Sequence, residues 1–201
     1  MLLSRRIPRF DRKLDALGKI ISDVDATTQR TIEDIFAAEK ALIQIQIEWE
    51  HFVRNLILDS ATGLFSNAGG LLTSRRFSLI RSRENAAHVL IGTFRNRQFE
   101  PDWYLPNQAI DAALRLDVSN SAQISAELGL TPWPIEELRH VRNFIAHQSK
   151  RSALSVRRTG IVPAAGTIDV FDAAVQYGAG GVKRFDGWIA FAKGAASRLV
   201  N

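Results

Sequence analysis

The sequence predicts an all-α protein, an antiparallel helical bundle with loop insertions. Apolar residues recur at spacings of three and four from Ile35 to Leu56, the period of a helix with one buried stripe. The same spacing returns elsewhere in the chain, and no regular alternation of strands with helices interrupts it. At 201 residues, 46% hydrophobic and 23% charged, the chain has ordinary globular composition and the length to bury a core. One domain over 1–201 is expected: N-terminal helices in 10–60, an insert and middle helices in 63–130, a helix in 135–150, a Gly/Ala-rich region in 160–181 and a last helix in 185–200.

Phe10, Leu14, Leu17, Ile21 and Val24 form the stripe of a first helix. The segment from Asp25 to Arg30 reads equally as a turn or a continuation. In the second helix, about 31–59, Ile35, Ala38, Leu42, Ile45, Trp49, Phe52 and Leu56 keep one seam apolar, and the near-heptad spacing calls for antiparallel partners. Thr31 followed by Asp34 supplies an N-terminal cap, with Glu33 and Asp34 favourable in the first turn. Gly63, Asn67, Gly69 and Gly70 then break the pattern. Helices are expected near Ser78 to Leu90 and Asn107 to Leu116, with a loop from Arg95 to Pro106. A shorter one over Ser119 to Leu128 stops at Gly129.

Pro132 and Pro134 mark a fresh start, Pro134 suiting the first turn of a helix from Ile135 to Gln148 or beyond. The Gly160 to Gly181 region is expected to hold a short strand or two around Ile168 to Tyr177, and reads as a lid, a partner site or a disordered loop. The last helix buries Trp188, Ile189, Ala192 and Leu199.

Composition removes several chemistries. With no cysteine there is no disulfide, thiolate nucleophile or Cys-based zinc site. None of His51, His88, His140 and His147 forms an H-E-x-x-H pair, so a zinc hydrolase has no support; no metal or other cofactor is expected. No stretch approaches the roughly 20 apolar residues of a membrane span. No apolar leader core follows the basic Met1 to Lys13 segment, and a cytoplasmic location is expected. The net charge of +5 and pI near 10.0 suit a polyanionic partner.

The chemistry concentrates in Arg142-Asn143-Phe144-Ile145-Ala146-His147. At about 100° per residue, Ile135, Leu138, Val141 and Ile145 form the core stripe, while Arg139, His140, Asn143 and His147 share the opposite side. Arg142 flanks the stripe and must snorkel outward or find a partner. Imidazole is suited to proton transfer near neutrality. Arginine binds phosphate bidentately, and an asparagine amide orients phosphate or fixes a histidine tautomer. Metal-free cleavage of an RNA phosphodiester needs these parts.

Arg142-Asn143-x-x-x-His147 resembles the Arg-x4–6-His motif of the HEPN superfamily (higher eukaryote and prokaryote nucleotide-binding domains). Ile43 to Leu58, with Trp49-Glu50-x-Phe52-Val53-x-x-Leu56, resembles the long early helix of its prokaryotic members. Together these cover about a quarter of the chain. The resemblance implies a HEPN-like helical bundle and a metal-independent endoribonuclease that serves as a toxin or antiviral-defence effector. It also implies a homodimer that lines one cleft with two motifs, and control by an antitoxin or regulatory protein. On this reading Arg142, Asn143 and His147 are catalytic, and Arg139, His140 and Glu50 support them or touch RNA.

Arg83-Glu84-Asn85-Ala86-Ala87-His88 has the same spacing, and Arg81 fits the six-residue version. The later copy is preferred because Asn follows its Arg, because it ends in Ala-His, and because it lies on a late helix. Glu50 has two partners in reach of the argument, Arg142 and, at i,i+4, Arg54. Arg75, Arg76, Arg81, Arg83, Arg95 and Arg97, interleaved with Phe77, Phe94 and Phe99, suit single-stranded RNA or a solvated face equally. Lys150, Arg151, Arg157 and Arg158 are ambiguous in the same way. Two other functions fit the chain: a non-catalytic helical module that binds a partner protein or nucleotide, and a plain basic nucleic-acid-binding protein.

Overall fold

The computed structural model describes residues 1–94, 98–130, 135–178 and 180–201. The expected helix start at Pro132 and Pro134, and the basic pair Arg95 and Arg97, lie outside the described residues. The chain is mostly helical, with one small sheet. In order it forms a 3-10 turn at Leu3–Arg6, α1 (Ile7–Asp25), α2 (Ile32–Ser60), β1 (Thr62–Asn67), β2 (Gly70–Thr73), α3 (Arg83–Gly92), α4 (Pro106–Arg115), α5 (Ser121–Leu128), α6 (Ile135–His147), α7 (Lys150–Arg158), α8 (Val170–Val175) and α9 (Arg184–Val200). No described helix is long and apolar enough to cross a membrane. Contacts divide the chain into two compact units.

The first unit comprises Met1–Phe10, Trp49–Thr131 and Gly194–Asn201. Phe10, Trp49 and Phe52 form its aromatic centre, with the Phe10 and Phe52 rings 4.7 Å apart and Trp49 stacked on Phe52 at 6.0 Å. Such pairs add about 0.5–1.5 kcal/mol beyond their area burial. Where the sequence suggested only a break, β1 and β2 make an antiparallel hairpin pairing Asn67 with Gly70. The Asn67 side chain accepts from the Gly69 amide at 2.9 Å, and Gly70 takes φ 116°, which glycine adopts without steric cost. The Ser66 amide donates to the Met1 carbonyl at 2.9 Å, so the N-terminal segment borders β1 on its other edge.

Beside the hairpin the Asp59 carboxylate receives two guanidiniums. Arg83 donates to it at 2.6 and 3.3 Å, and Arg6 makes a close ion pair with it while standing 5.1 Å over the Phe65 ring. The expected helix over 78–90 begins only at Arg83, because the Ser82 side chain accepts from the Asn85 amide and caps it there.

The second unit comprises Asp11–Glu48 and Pro132–Lys193. The segment left open at 25–30 is a turn, since α1 ends at Asp25 and α2 begins at Ile32. The expected cap of α2 forms in both directions: Asp34 N donates to Thr31 Oγ1 at 3.2 Å and Thr31 N to Asp34 Oδ2 at 2.9 Å. Those bonds hold the Asp34 carboxyl below its ordinary pKa. Lys183 and Arg30 converge on Asp25 at 2.5 and 3.0 Å, and Arg30 stands 4.9 Å over the Phe171 ring.

The strand expected around Ile168 to Tyr177 is replaced by α8. Asp169 caps that helix by accepting from the Asp172 amide at 2.8 Å, and Ala173 and Ala174 favour it. An isolated bridge between Tyr177 and Lys183 is what remains of the expected β element.

Candidate functional site

Helix α6 sorts its residues by depth. Ile135, Leu138 and Val141 are buried, as their spacing requires, and Ile145 is half-buried. Arg139, His140, Arg142 and Asn143 are half-buried, and His147 is exposed as the last helical residue. Within this unit the helix is tied down at its start, where the buried Trp188 indole donates to Glu137 Oε2 at 3.1 Å.

Arg142 and Asn143 are joined directly. The guanidinium Nη1 donates to Asn143 Oδ1 at 3.0 Å, while Arg142 Nε is buried with no hydrogen-bond partner among the described residues. Arg142 and His147 stand five residues apart, about 140° around the axis, and so leave the helix in different directions. Asn143 lies one turn before His147 and about 40° from it. The Arg142–Asn143 bond therefore draws the guanidinium toward the histidine side of the helix. No described hydrogen bond joins Arg142 to His147.

A second cluster sits one turn earlier. Arg139 Nη2 bonds the Glu136 carboxylate and lies 3.2 Å from His140 Nε2, and His140 is 3.8 Å from the same carboxylate. A guanidinium only donates, so His140 Nε2 accepts and the ring proton of the neutral imidazole resides on Nδ1. Burial, and secondarily the Arg139 charge, lower the His140 pKa against the opposing pull of Glu136. His140 is thus a neutral, hydrogen-bonded ring on the same face as the exposed His147.

The remaining candidates belong to the first unit. Arg83 is engaged by the buried Asp59, which gives the arginine of the earlier Arg-x4-His88 copy a structural partner. Arg81 donates to the Ser78 and Ile80 carbonyls. Glu50 is half-buried on α2, and Arg54, its i,i+4 neighbour, binds both oxygens of Glu100 at 2.6 Å. Of the interleaved aromatics, Phe94 lies 4.5 Å under Arg115 and Phe77 5.1 Å under Arg76.

One element beside the site was not foreseen. The motif helix does not continue past His147; Gln148 takes φ 42°, and Ser149 opens α7 through a reciprocal capping box with Ser152. The Ser149-x-x-Ser152 spacing was the available signal. No family model matches the chain, and no curated protein or solved structure matches it.

Proposed function

We propose that this chain is a metal-independent endoribonuclease of HEPN type. The observation that carries the reading is the arrangement at the end of α6, where the Arg142 guanidinium is hydrogen-bonded to Asn143 and His147, one turn on, faces solvent. An exposed imidazole is reachable by a polymer, and a guanidinium held by a neighbouring amide is pre-positioned for a phosphate.

In this mechanism a ribose 2′-oxygen attacks the adjacent phosphorus. The bond from O2′ to phosphorus forms and the bond from phosphorus to O5′ breaks, leaving a 2′,3′-cyclic phosphate and a 5′-hydroxyl. One proton leaves the 2′-hydroxyl and one is delivered to the departing 5′-oxygen, and His147 serves one of these transfers. Arg142 stabilises charge on the non-bridging oxygens, and Asn143 orients the guanidinium or the phosphate. Because Arg142 and His147 diverge on a single helix, a homodimer bringing two motifs to one cleft supplies both groups to one phosphate. Cleavage of cellular RNA in the cytoplasm is toxic, so the activity is held by an antitoxin or regulatory partner until a toxin or antiviral role calls for it.

The test is RNA cleavage in chelator by wild type and His147→Ala, with product ends determined. Wild type should leave cyclic phosphate ends, and the variant should lose about 10²- to 10⁴-fold in rate. Equal cleavage by both would remove His147 from the chemistry. Inactivity of both, with the fold intact, would favour a non-catalytic module binding a partner protein or nucleotide.

A further inference from the structure

Helix α7, which begins three residues after His147, is electrostatically at odds with its own fold. From Leu138 through Ile168 the chain has no Asp or Glu but six cations: Arg139, Arg142, Lys150, Arg151, Arg157 and Arg158. In the same unit Lys13, Arg30, Arg139, Lys183 and Lys193 each hold a carboxylate, and Arg157 donates to the carbonyls of Ala164 and Gly166. Lys150, Arg151 and Arg158 are exposed and have no hydrogen-bonding or ion-pairing partner among the described residues.

A solvated helix face ordinarily mixes both signs so that i,i+4 pairs form; this one carries a single sign. Lys150 and Arg151 also occupy the first turn, directly after the Ser149 cap. There the positive end of the helix dipole opposes cations by about 0.3–1 kcal/mol each. No carboxylate among the described residues pairs with them to offset that placement, whereas a bound polyanion would.

The pattern on the helix selects the ligand further. Ser152 and Val156 are buried, which turns Arg151, Leu154 and Arg158 outward at i, i+3 and i+7, with Lys150 beside them. Arg151 and Arg158 are about 10 Å apart along the axis, which lets each take a phosphate of its own. Between them Leu154 is 57% exposed and offers an apolar contact to an unstacked base. Lys150 Cα lies within about 11 Å of His147 Cα by chain length alone.

We infer that the exposed face of α7 is a track for single-stranded RNA, on which Lys150, Arg151 and Arg158 hold successive phosphates beside the one presented to His147. The assignment of the strand as RNA rests on the endoribonuclease reading. The track itself contacts phosphates and does not distinguish sugars.

Binding is therefore measured with a single-stranded oligodeoxynucleotide, which has no 2′-hydroxyl to react, by fluorescence anisotropy between 50 and 200 mM salt. Each single-strand phosphate contact contributes about 0.7 to the slope of log affinity against log salt. Removing three contacts in Lys150→Ala/Arg151→Ala/Arg158→Ala should lower the slope by about 2. Over this range wild type should then lose about 18-fold more affinity than the variant. The charge-preserving Lys150→Arg/Arg151→Lys/Arg158→Lys variant should keep the wild-type slope. Lys19→Ala/Lys40→Ala, which removes exposed cations elsewhere in the same unit, should also keep it.

A wild-type slope in the triple alanine variant, with unchanged helical circular dichroism, would overturn the inference. So would an equal loss in Lys19→Ala/Lys40→Ala, absence of wild-type binding, or tighter binding of a duplex than of a single strand. His147→Ala should bind as wild type does while losing RNA cleavage. If it cleaves normally, His147 is removed from the chemistry and the binding data still decide the track.

Discussion

Replacing Asp59 by alanine removes a carboxylate that two guanidiniums share in the first unit. The Asp59 side chain is 2% exposed, against 23% for Arg6 and 36% for Arg83. Burial raises the Asp59 pKa against the pull of both arginines, and the same burial lowers that of Arg6. Desolvation thus outweighs attraction at both groups, and deleting the acid leaves Arg6 its desolvation without the Asp59 charge. Breaking a buried pair from one side costs about 3–5 kcal/mol. At about 2–4 °C per kcal/mol for a chain of this size, the melting temperature should fall by about 6–20 °C. Arg83, more exposed, can rehydrate when it loses its partner, so Arg83→Ala should cost less than Asp59→Ala. Urea denaturation and thermal melting of both variants measure this. Because Arg6 joins the N-terminal segment to the cluster, exchange of the Ser66 amide, bonded to the Met1 carbonyl, should also quicken in Asp59→Ala. A loss under about 1 kcal/mol, the range of exposed pairs, would refute the account of Asp59 as a buried charge that two arginines stabilise.

Gln148, at φ 42°, occupies a conformation costing an L-residue about 1–2 kcal/mol. Gln148→Gly should be neutral or stabilising by up to about 1 kcal/mol, and Gln148→Val destabilising, in urea denaturation; equal stabilities would mean that the turn is not strained. His140 has a pKa below its ordinary value, so between that value and about 6.5 the unfolded chain binds the extra proton. Its contribution is full above about pH 6.5 and lost as pH falls through the folded value. Denaturation at pH 7.5 and 5.5 should therefore show a larger acid loss in wild type than in His140→Gln, and identical losses would contradict the burial of a neutral ring beside Arg139 and Glu136.

Local signals carried much of the helical layout. The stripe from Ala38 to Leu56 is buried as its spacing demands, and the Thr31–Asp34 cap is formed, because periodicity and capping act within a few residues. The hairpin was hidden by its brevity and by Gly63 and Gly70, which read as punctuation while serving as turn and strand residues. Helix α7 was hidden for the opposite reason: the break before it falls on Gln148, a residue with no breaker character. Ile168, Val170, Phe171 and Val175 favour a strand by type, and only the Asp169 cap and the two following alanines turn that segment into α8. For Arg83, the deciding partner stands 24 residues away in sequence. Such a pairing is a property of tertiary packing, and no spacing rule reveals it.

The two histidines of α6 share a face but not an environment, and the difference assigns their parts. His140 is half-buried, and its Nε2 is occupied by the Arg139 guanidinium at 3.2 Å with the Glu136 carboxylate 3.8 Å away. A group in that position can orient neighbours but meets a polymer poorly. His147, seven residues later, stands where α6 ends and the chain turns through Gln148 into a helix on which Lys150, Arg151 and Arg158 have no partner among the described residues. Helix α6 is anchored at its start by Glu137 and Trp188, and its end leads to the exposed cations of α7, the surface proposed above as a phosphate track. The proposed cleavage of RNA would take place at that end, because there the imidazole can be reached without unpacking the core stripe. In that mechanism the Arg142–Asn143 bond would bring a charge from the flank of the stripe toward the exposed end while leaving Val141 and Leu138 buried.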